Sequence, residues 1–181
     1  MRDSKEDILK FWFTETEPQL WFQVNETFDD KVRNRYMSAC ELARDAMYDA
    51  WSRSVDGSLA LCLLLDQFPR MIYRGHAKAY SGDRKALLVA KNAVAKGFDQ
   101  TLPPEKRRFL YQPYLHSENL PNQRVSVELF GKMAKDDPVS YEHAQRNYKI
   151  IEQFGRFPHR NKVLGRENTP AEQEYLARMP A

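Results

Sequence analysis

The stretch FDDKVRNRYMSACELARDAMYDAW, residues 28–51, decides the fold class. Phe28, Val32, Tyr36, Cys40, Ala43, Met47 and Trp51 recur at spacings of four and three, which places them on one stripe of a long helix with charged residues around it. The same period governs the neighbours. SVDGS (54–58) breaks the chain, and LALCLLLDQF (59–68) lacks the alternation of a strand, so it reads as a short, nearly buried helix ending near Pro69. A helix over about 83–96 stops at Gly97, a left-handed cap. In TLPPEKRRFLYQP (101–113) paired prolines open a short helix and Pro113 closes it, and the polar connector YLHSENLPNQ (114–123) follows. Helices over about 123–135 and 140–154 come next, the second ending at Gly155, and Thr169, Pro170 and Glu172 fit the N-cap, first turn and capping box of a last helix. The expectation is an all-α protein: a compact array of about seven to nine helices in one domain over 1–181.

Composition excludes several function classes. The chain has 28 Lys and Arg against 25 Asp and Glu, a surplus of +3 over 181 residues, too small for wholesale nucleic-acid binding. RNRY (33–36) and KRRFLYQPY (106–114) read as helical surface charge beside core aromatics, so no nucleic-acid partner is expected. Phe11, Trp12, Phe13, Trp21 and Phe22 read as packing anchors. MRDSKEDILKFWF lacks the apolar run and cleavage site of an export signal, and LALCLLL (59–65) is far below membrane-spanning length; the expectation is a cytoplasmic protein with no membrane association. Cys40 and Cys62 sit in apolar helical patterns, as buried thiols do. Neither an HExxH run, a Cys cluster, dinucleotide-binding glycines nor a phosphate loop occurs, so no metal and no cofactor are expected.

What remains is a set of polar residues at helix ends. KIIEQFGRFPHRNKVLGR (149–166) places Arg156, His159, Arg160, Lys162 and Arg166 behind an amphipathic run. DQFPRMIYR (66–74) aligns with EQFGRFPHR (152–160) without gaps, so two helix ends carry matching pairs, Arg70 with Arg74 and Arg156 with Arg160. Guanidinium groups suit carboxylate or phosphate oxygens, and the competing reading is that Asp66, Glu118 and Glu152 neutralise them in structural bridges. His116-Ser117-Glu118 is a second cluster: the imidazole exchanges a proton near neutrality and Glu118 orients it, but no nucleophile elbow surrounds Ser117. His143, Asn147, Ile151 and Phe154 form a face that turns from polar to apolar, either a cavity wall or a rim histidine above the core.

Together ILKFWF (8–13), WF (21–22), LLLDQFPRMIYRG (63–75), LYQPYLHSENL (110–120) and FGRFPHRNKVLGRENTPAEQEYL (154–176) resemble the successive signatures of the bacterial family known as domain of unknown function 924. The resemblance implies an all-helical, tetratricopeptide-like architecture and no particular reaction. It places signature polar residues at Asp66, Gln67, Arg70, Arg74, His116, Ser117, Glu118, Gln123, His143, Arg156, His159, Arg160, Asn161, Gly165 and Arg166.

Three functional expectations follow. The first is binding of a small anionic metabolite by Arg70, Arg74, Arg156 and Arg160, with Phe68, Phe154 and Phe157 excluding water; Asp66, Gln67, Ser117, His143, Asn161 and Arg166 complete the candidate binding set. The second is a metal-independent hydrolase or isomerase in which His116 or His159 handles a proton, Glu118 orients His116 and arginines stabilise developing charge. The third is a protein- or peptide-binding module, motivated by the tetratricopeptide-like resemblance and the many aromatics.

Overall fold

The apolar stripe that begins at Phe28 becomes helix α2 (Glu26–Arg44), started by Asn25, whose side chain accepts the Phe28 N–H at 2.9 Å. Phe28, Val32, Tyr36, Cys40 and Ala43 are all buried, as the spacing requires. The stripe does not continue to Met47 and Trp51. α2 stops at Arg44, and its end is closed by Met47 N–H on the Leu42 carbonyl (3.0 Å) and Ala46 N–H on the Ala43 carbonyl (3.3 Å). That pairing puts Ala46 at φ +70°, the left-handed position that usually carries glycine, so the stop had no residue to announce it. Met47 is left exposed, and Trp51 instead stacks on Tyr48 at 4.2 Å between ring centroids.

The computed structural model describes residues 4–179, and among them it has nine α-helices and no strand. Besides α2 these are α1 (Lys5–Lys10), α3 (Val55–Cys62), α4 (Phe68–Ile72), α5 (Asp83–Ala95), α6 (Pro104–Leu115), α7 (Leu120–Gly131), α8 (Pro138–Phe154) and α9 (Pro170–Ala177). None is long and apolar enough to cross a membrane. α2 packs on α4, α3 on α5, and α6, α7 and α8 pack in succession. The main core runs from Ile8 to Ala144, and a satellite of Ile150, Ile151 and Phe157 lies under Leu120, Phe154 and Tyr175. Trp12 lies within 6.2 Å of Trp21, Phe28, Phe68 and Phe109, centroid to centroid, as expected of a packing anchor. Phe22 departs from that expectation, being 54 % exposed.

Two prolines behave differently from the sequence expectation. Pro69 does not end the buried helix: α3 runs through a π-helical turn, Leu63–Gln67, directly into α4. The Phe68 N–H bonds back to the Leu63 carbonyl, five residues away, and Pro69, which has no N–H to place, sits in the first turn after the change of register. Likewise Pro113 does not close α6, which continues to Leu115. An interior proline costs about 3 kcal/mol. Burial of Phe109 and Leu110, at about 1.5–3 kcal/mol each, offsets it, and every residue from Phe109 to Leu115 is buried.

The π turn positions the site because the next segment lies directly on it. A Cβ on Gly82 would stand 2.2 Å from the Leu65 carbonyl oxygen, so only glycine permits this approach. Gly82→Ala is therefore expected to lower stability by about 1–3 kcal/mol, the usual cost of overpacking, read as a fall in Tm. Ala46→Gly should act in the opposite sense. Relief of about 1–2 kcal/mol of left-handed strain, less the extra freedom glycine gives the unfolded chain, predicts a gain of about 0.5–1 kcal/mol, and an unchanged or lower Tm would contradict it.

Candidate functional site

The π turn aims Asp66 and Gln67 into the interior. Gln67 donates to the Trp21 carbonyl at 2.9 Å, a structural bond that anchors the N-terminal segment. Asp66, 1 % exposed, takes the Nδ1 of His116 at 2.9 and 2.8 Å on its two oxygens and Arg70 at 3.1 Å. His116 is the residue that caps the C-terminal end of α6. Arg70, one turn beyond Asp66, also donates to the Asp66 main-chain carbonyl at 2.8 Å and pairs bidentately with Asp83 at 2.8 and 2.9 Å. Asp83 follows Gly82 at the start of α5.

Arg160, on the 3-10 turn Pro158–Arg160, joins the cluster from the far end of the chain. Its Nη1 donates to the His116 carbonyl at 3.1 Å and lies 3.6 Å from Asp83. The Tyr80 and Phe157 rings flank its guanidinium, with centroids at 4.8 and 4.4 Å. Its Nε is buried and finds no acceptor among the described residues.

Burial alone raises the Asp66 carboxyl, but Arg70 and His116 outweigh it and hold the group below the usual carboxylate range. Burial and then Arg70 push His116 down, against the pull of Asp66. A neutral imidazole facing an ionised carboxylate places its proton on Nδ1, because the carboxylate can only accept. The Nε2 is then an unprotonated acceptor. His159 is pushed down to about 4 by burial and then by Arg160, so it too is neutral near pH 7.

These groups line open space. A cleft of about 360 Å³ is bordered by Arg70, Arg74, Tyr80, His116, Asn147, Phe157, His159 and Arg160. A second, of about 600 Å³, includes Asp83, Ser117 and Glu118 and shares Tyr80, His116 and Arg160 with the first. His159 also borders a third cleft with Gly75, His76 and Lys162.

Other candidates are engaged elsewhere. Glu118 does not orient His116: it accepts the Phe157 N–H at 2.8 Å and Arg166 at 2.6 and 2.9 Å, and Asp66 holds the imidazole in its place. Arg166 also donates to the Asn161 side chain at 2.8 Å, and Asn161 in turn donates to Asn168 at 2.7 Å. The Ser117 hydroxyl accepts from Asn122 at 2.9 Å. Arg74 pairs with Asp29 at 2.8 and 3.0 Å, and Arg156 with Glu172 at 2.7 and 2.8 Å. His143 borders another cleft, of about 410 Å³, with Phe22, Arg108 and Asp137, which His116 also lines.

The two nine-residue segments thus do not present matching pairs. The first arginine of one, Arg70, meets the second of the other, Arg160, around Asp83. Glu152 pairs with no arginine among the described residues and accepts from the Tyr148 hydroxyl at 2.7 Å. Asp29, Asp83, Glu172 and Tyr80 were not legible as site residues. Asp29 and Asp83 lie far along the chain from their arginines, and Glu172 reads as a cap residue, which it also is. Gln123, one of the family-signature positions, donates to the carbonyls of Leu115 and Ser117 at 2.9 and 2.7 Å and so fixes the end of α6 that carries His116. Among the described residues no group of three or more His, Cys, Asp or Glu side chains is arranged to hold a metal ion.

The class that emerges is an all-helical protein with a buried Asp–His–Arg cluster opening on clefts. The family model described as "Bacterial protein of unknown function (DUF924)" matches residues 8–179, and the chain belongs to that family. Among solved structures it is similar to the protein of unknown function ATU0120 from Agrobacterium tumefaciens, at 38 % identity and a TM-score of 0.90, covering 95 % of this chain and 96 % of the other. No curated protein matches.

The Arg156–Glu172 pair sets a pH dependence. Hydrogen bonding from Arg156 holds the Glu172 carboxyl down at about 2, against an ordinary 4.5. A depressed folded-state value means that the ionised pair stabilises the fold fully above pH 4.5 and that this contribution is lost as pH falls through 2. Glu172→Gln is expected to lower Tm at neutral pH, with the gap to wild type shrinking between pH 4.5 and pH 2. A gap independent of pH would show that the charge of Glu172 contributes nothing, since glutamine can still accept the Thr169 N–H of the capping box.

Proposed function

We propose that this protein binds a small anionic metabolite, bearing a carboxylate or phosphate, in the cleft bordered by Arg70, Tyr80, His116, His159 and Arg160. The observation that carries the reading is Arg160. Every other arginine of the candidate set is closed by a bidentate carboxylate: Arg70 on Asp83, Arg74 on Asp29, Arg156 on Glu172 and Arg166 on Glu118. Arg160 spends one Nη1 bond on a main-chain carbonyl and stands 3.6 Å from its nearest carboxylate, and its Nη2 makes no hydrogen bond to a described residue, while its Nε, unpaired among those residues, is closed off from solvent. A buried guanidinium with unspent donors favours an incoming oxyanion, because leaving a buried charged donor unpaired is costly. The Tyr80 and Phe157 rings beside it exclude water and strengthen the electrostatic attraction.

The cleft also offers acceptors. Asn147 uses its amide nitrogen on the Leu115 carbonyl at 3.0 Å, which leaves its oxygen for a ligand hydroxyl, and His116 contributes Nε2. A hydroxy acid or a sugar phosphate presents both kinds of group. The separate reading as a peptide-binding module draws no comparable support from the closed arginines.

Calorimetric titration with inorganic phosphate, succinate and a panel of hydroxy acids and sugar phosphates tests the proposal. Loss of a charge-assisted hydrogen bond, worth about 1.5–3 kcal/mol, predicts that Arg160→Gln weakens binding by about 10- to 100-fold. Arg156→Ala should lower Tm and leave Kd unchanged. No saturable binding by the folded wild type, or equal affinity in the Arg160→Gln protein, would overturn it.

A further inference from the structure

We propose that His116 and Asp66 make this cleft a hydrolytic site for anionic carboxylic esters, with His116 as general base and Asp66 as the residue that positions it. The inference rests on the anion-binding reading, since the same Arg160 would hold the substrate, but it adds a chemical step that binding alone does not need.

The geometry supplies each part of that step. The Asp66 carboxylate receives the His116 Nδ1 on both oxygens, at 2.9 and 2.8 Å, which fixes both the ring plane and the tautomer. The Nε2 makes no hydrogen bond to any described residue, and His116 borders both the 360 Å³ and the 600 Å³ clefts. Arg160 is bonded to the main chain of His116 itself, so the guanidinium and the imidazole are held in a fixed relation. The charged and titratable groups around the ring are Asp66 on the π turn, Arg70 on α4, Asp83 at the start of α5, Tyr80 before it, and His159 and Arg160 on the 3-10 turn; Arg74 also lines the smaller cleft, and Arg84, Lys91 and Glu118 the larger. A proton arriving on the ring adds one positive charge, which the buried Asp66 is placed to stabilise.

In the step, Nε2 takes a proton from a water molecule in the cleft as the water oxygen forms a bond to the ester carbonyl carbon. The carbonyl electron pair moves to oxygen, and the positive field of Arg160 and Arg70, with Arg160 itself bonded to the substrate carboxylate, stabilises that oxyanion. Collapse of the tetrahedral species breaks the bond to the alcohol oxygen, which takes the proton back from Nε2. Water and ester give carboxylic acid and alcohol, with no other reactant.

The test uses the full chain with the para-nitrophenyl half-ester of succinate, and with neutral para-nitrophenyl acetate as comparison. Wild type should turn over the half-ester in preference, with kcat/KM rising with pH through a midpoint below the ordinary 6.5 and then reaching a plateau. His116→Asn keeps a donor toward Asp66 while removing Nε2, and is expected to lower kcat by about 100-fold or more. Asp66→Asn should lower kcat by a similar factor and also shift the pH midpoint. Nitrogen-15 NMR should find the wild-type His116 protonated on Nδ1 alone above that midpoint and a mixed tautomer in Asp66→Asn, a change that a merely structural aspartate would not cause. His116→Asn turning over like wild type overturns the proposal, as does wild type no faster than buffer on either ester. In those cases retained binding of succinate, weakened by Arg160→Gln, leaves the anion site standing; loss of both results removes the two readings together.

Discussion

A carboxylate buried to 1 % exposure is the constraint on which the rest of the site depends. Removing such a charge from water costs several kcal/mol, and the cost is offset only when its lone pairs are filled by charged or polar donors in good geometry. Asp66 meets the condition by drawing together the π turn, α4 and the end of α6, through Arg70 and His116. The π turn is the local device that makes this possible, since the change of helical register turns both Asp66 and Gln67 inward on a segment whose other residues are leucines.

The requirement propagates. Arg70, recruited by Asp66, needs a second carboxylate for its fork, and Asp83 provides it only because Gly82 can lie on the Leu65 carbonyl. Asp83 in turn draws Arg160, which the satellite core carries through Phe157. Glu118 and Arg166 complete that side by gripping the Phe157 main chain at both its N–H and its carbonyl. Segments separated by up to 94 positions, Asp66 to Arg160, thus share one electrostatic balance. A loss at one of them is expected to be felt at the others rather than to add independently.

The helices were largely legible because apolar spacing and caps are local. The caps that the residues announce, at Gly97, Gly155 and Thr169, stand where the sequence placed them. The failures at Ala46, Pro69 and Pro113 share a cause: each is a position where tertiary packing or main-chain closure overrides the preference of the residue. At the site, the residue types were legible and their partners were not. Arginine and histidine can be chosen from their chemistry, but which acid neutralises which arginine depends on contacts 13 to 45 residues apart, as with Arg70–Asp83 and Arg74–Asp29. Proximity in sequence pointed to Glu118 as the partner of His116, yet neighbouring side chains at a helix end diverge, and Glu118 faces the Phe157 loop instead.

This division of labour bears on why one arginine stays open. A carboxylate pair fills the fork of a guanidinium and leaves nothing for a ligand, whereas aromatic rings satisfy its faces and leave its edges free. Arg160 is the member of the cluster held mainly by its faces, between Tyr80 and Phe157, with one edge on the His116 carbonyl. Burial, followed by repulsion from Arg70, pulls Arg160 below the ordinary arginine value, against the attraction of Asp83, Glu118 and Tyr80. It nonetheless remains charged, because that starting value is so high. The fold therefore maintains, beside a neutral histidine whose orientation is fixed, a cation whose attraction for an oxyanion is not already satisfied by the protein.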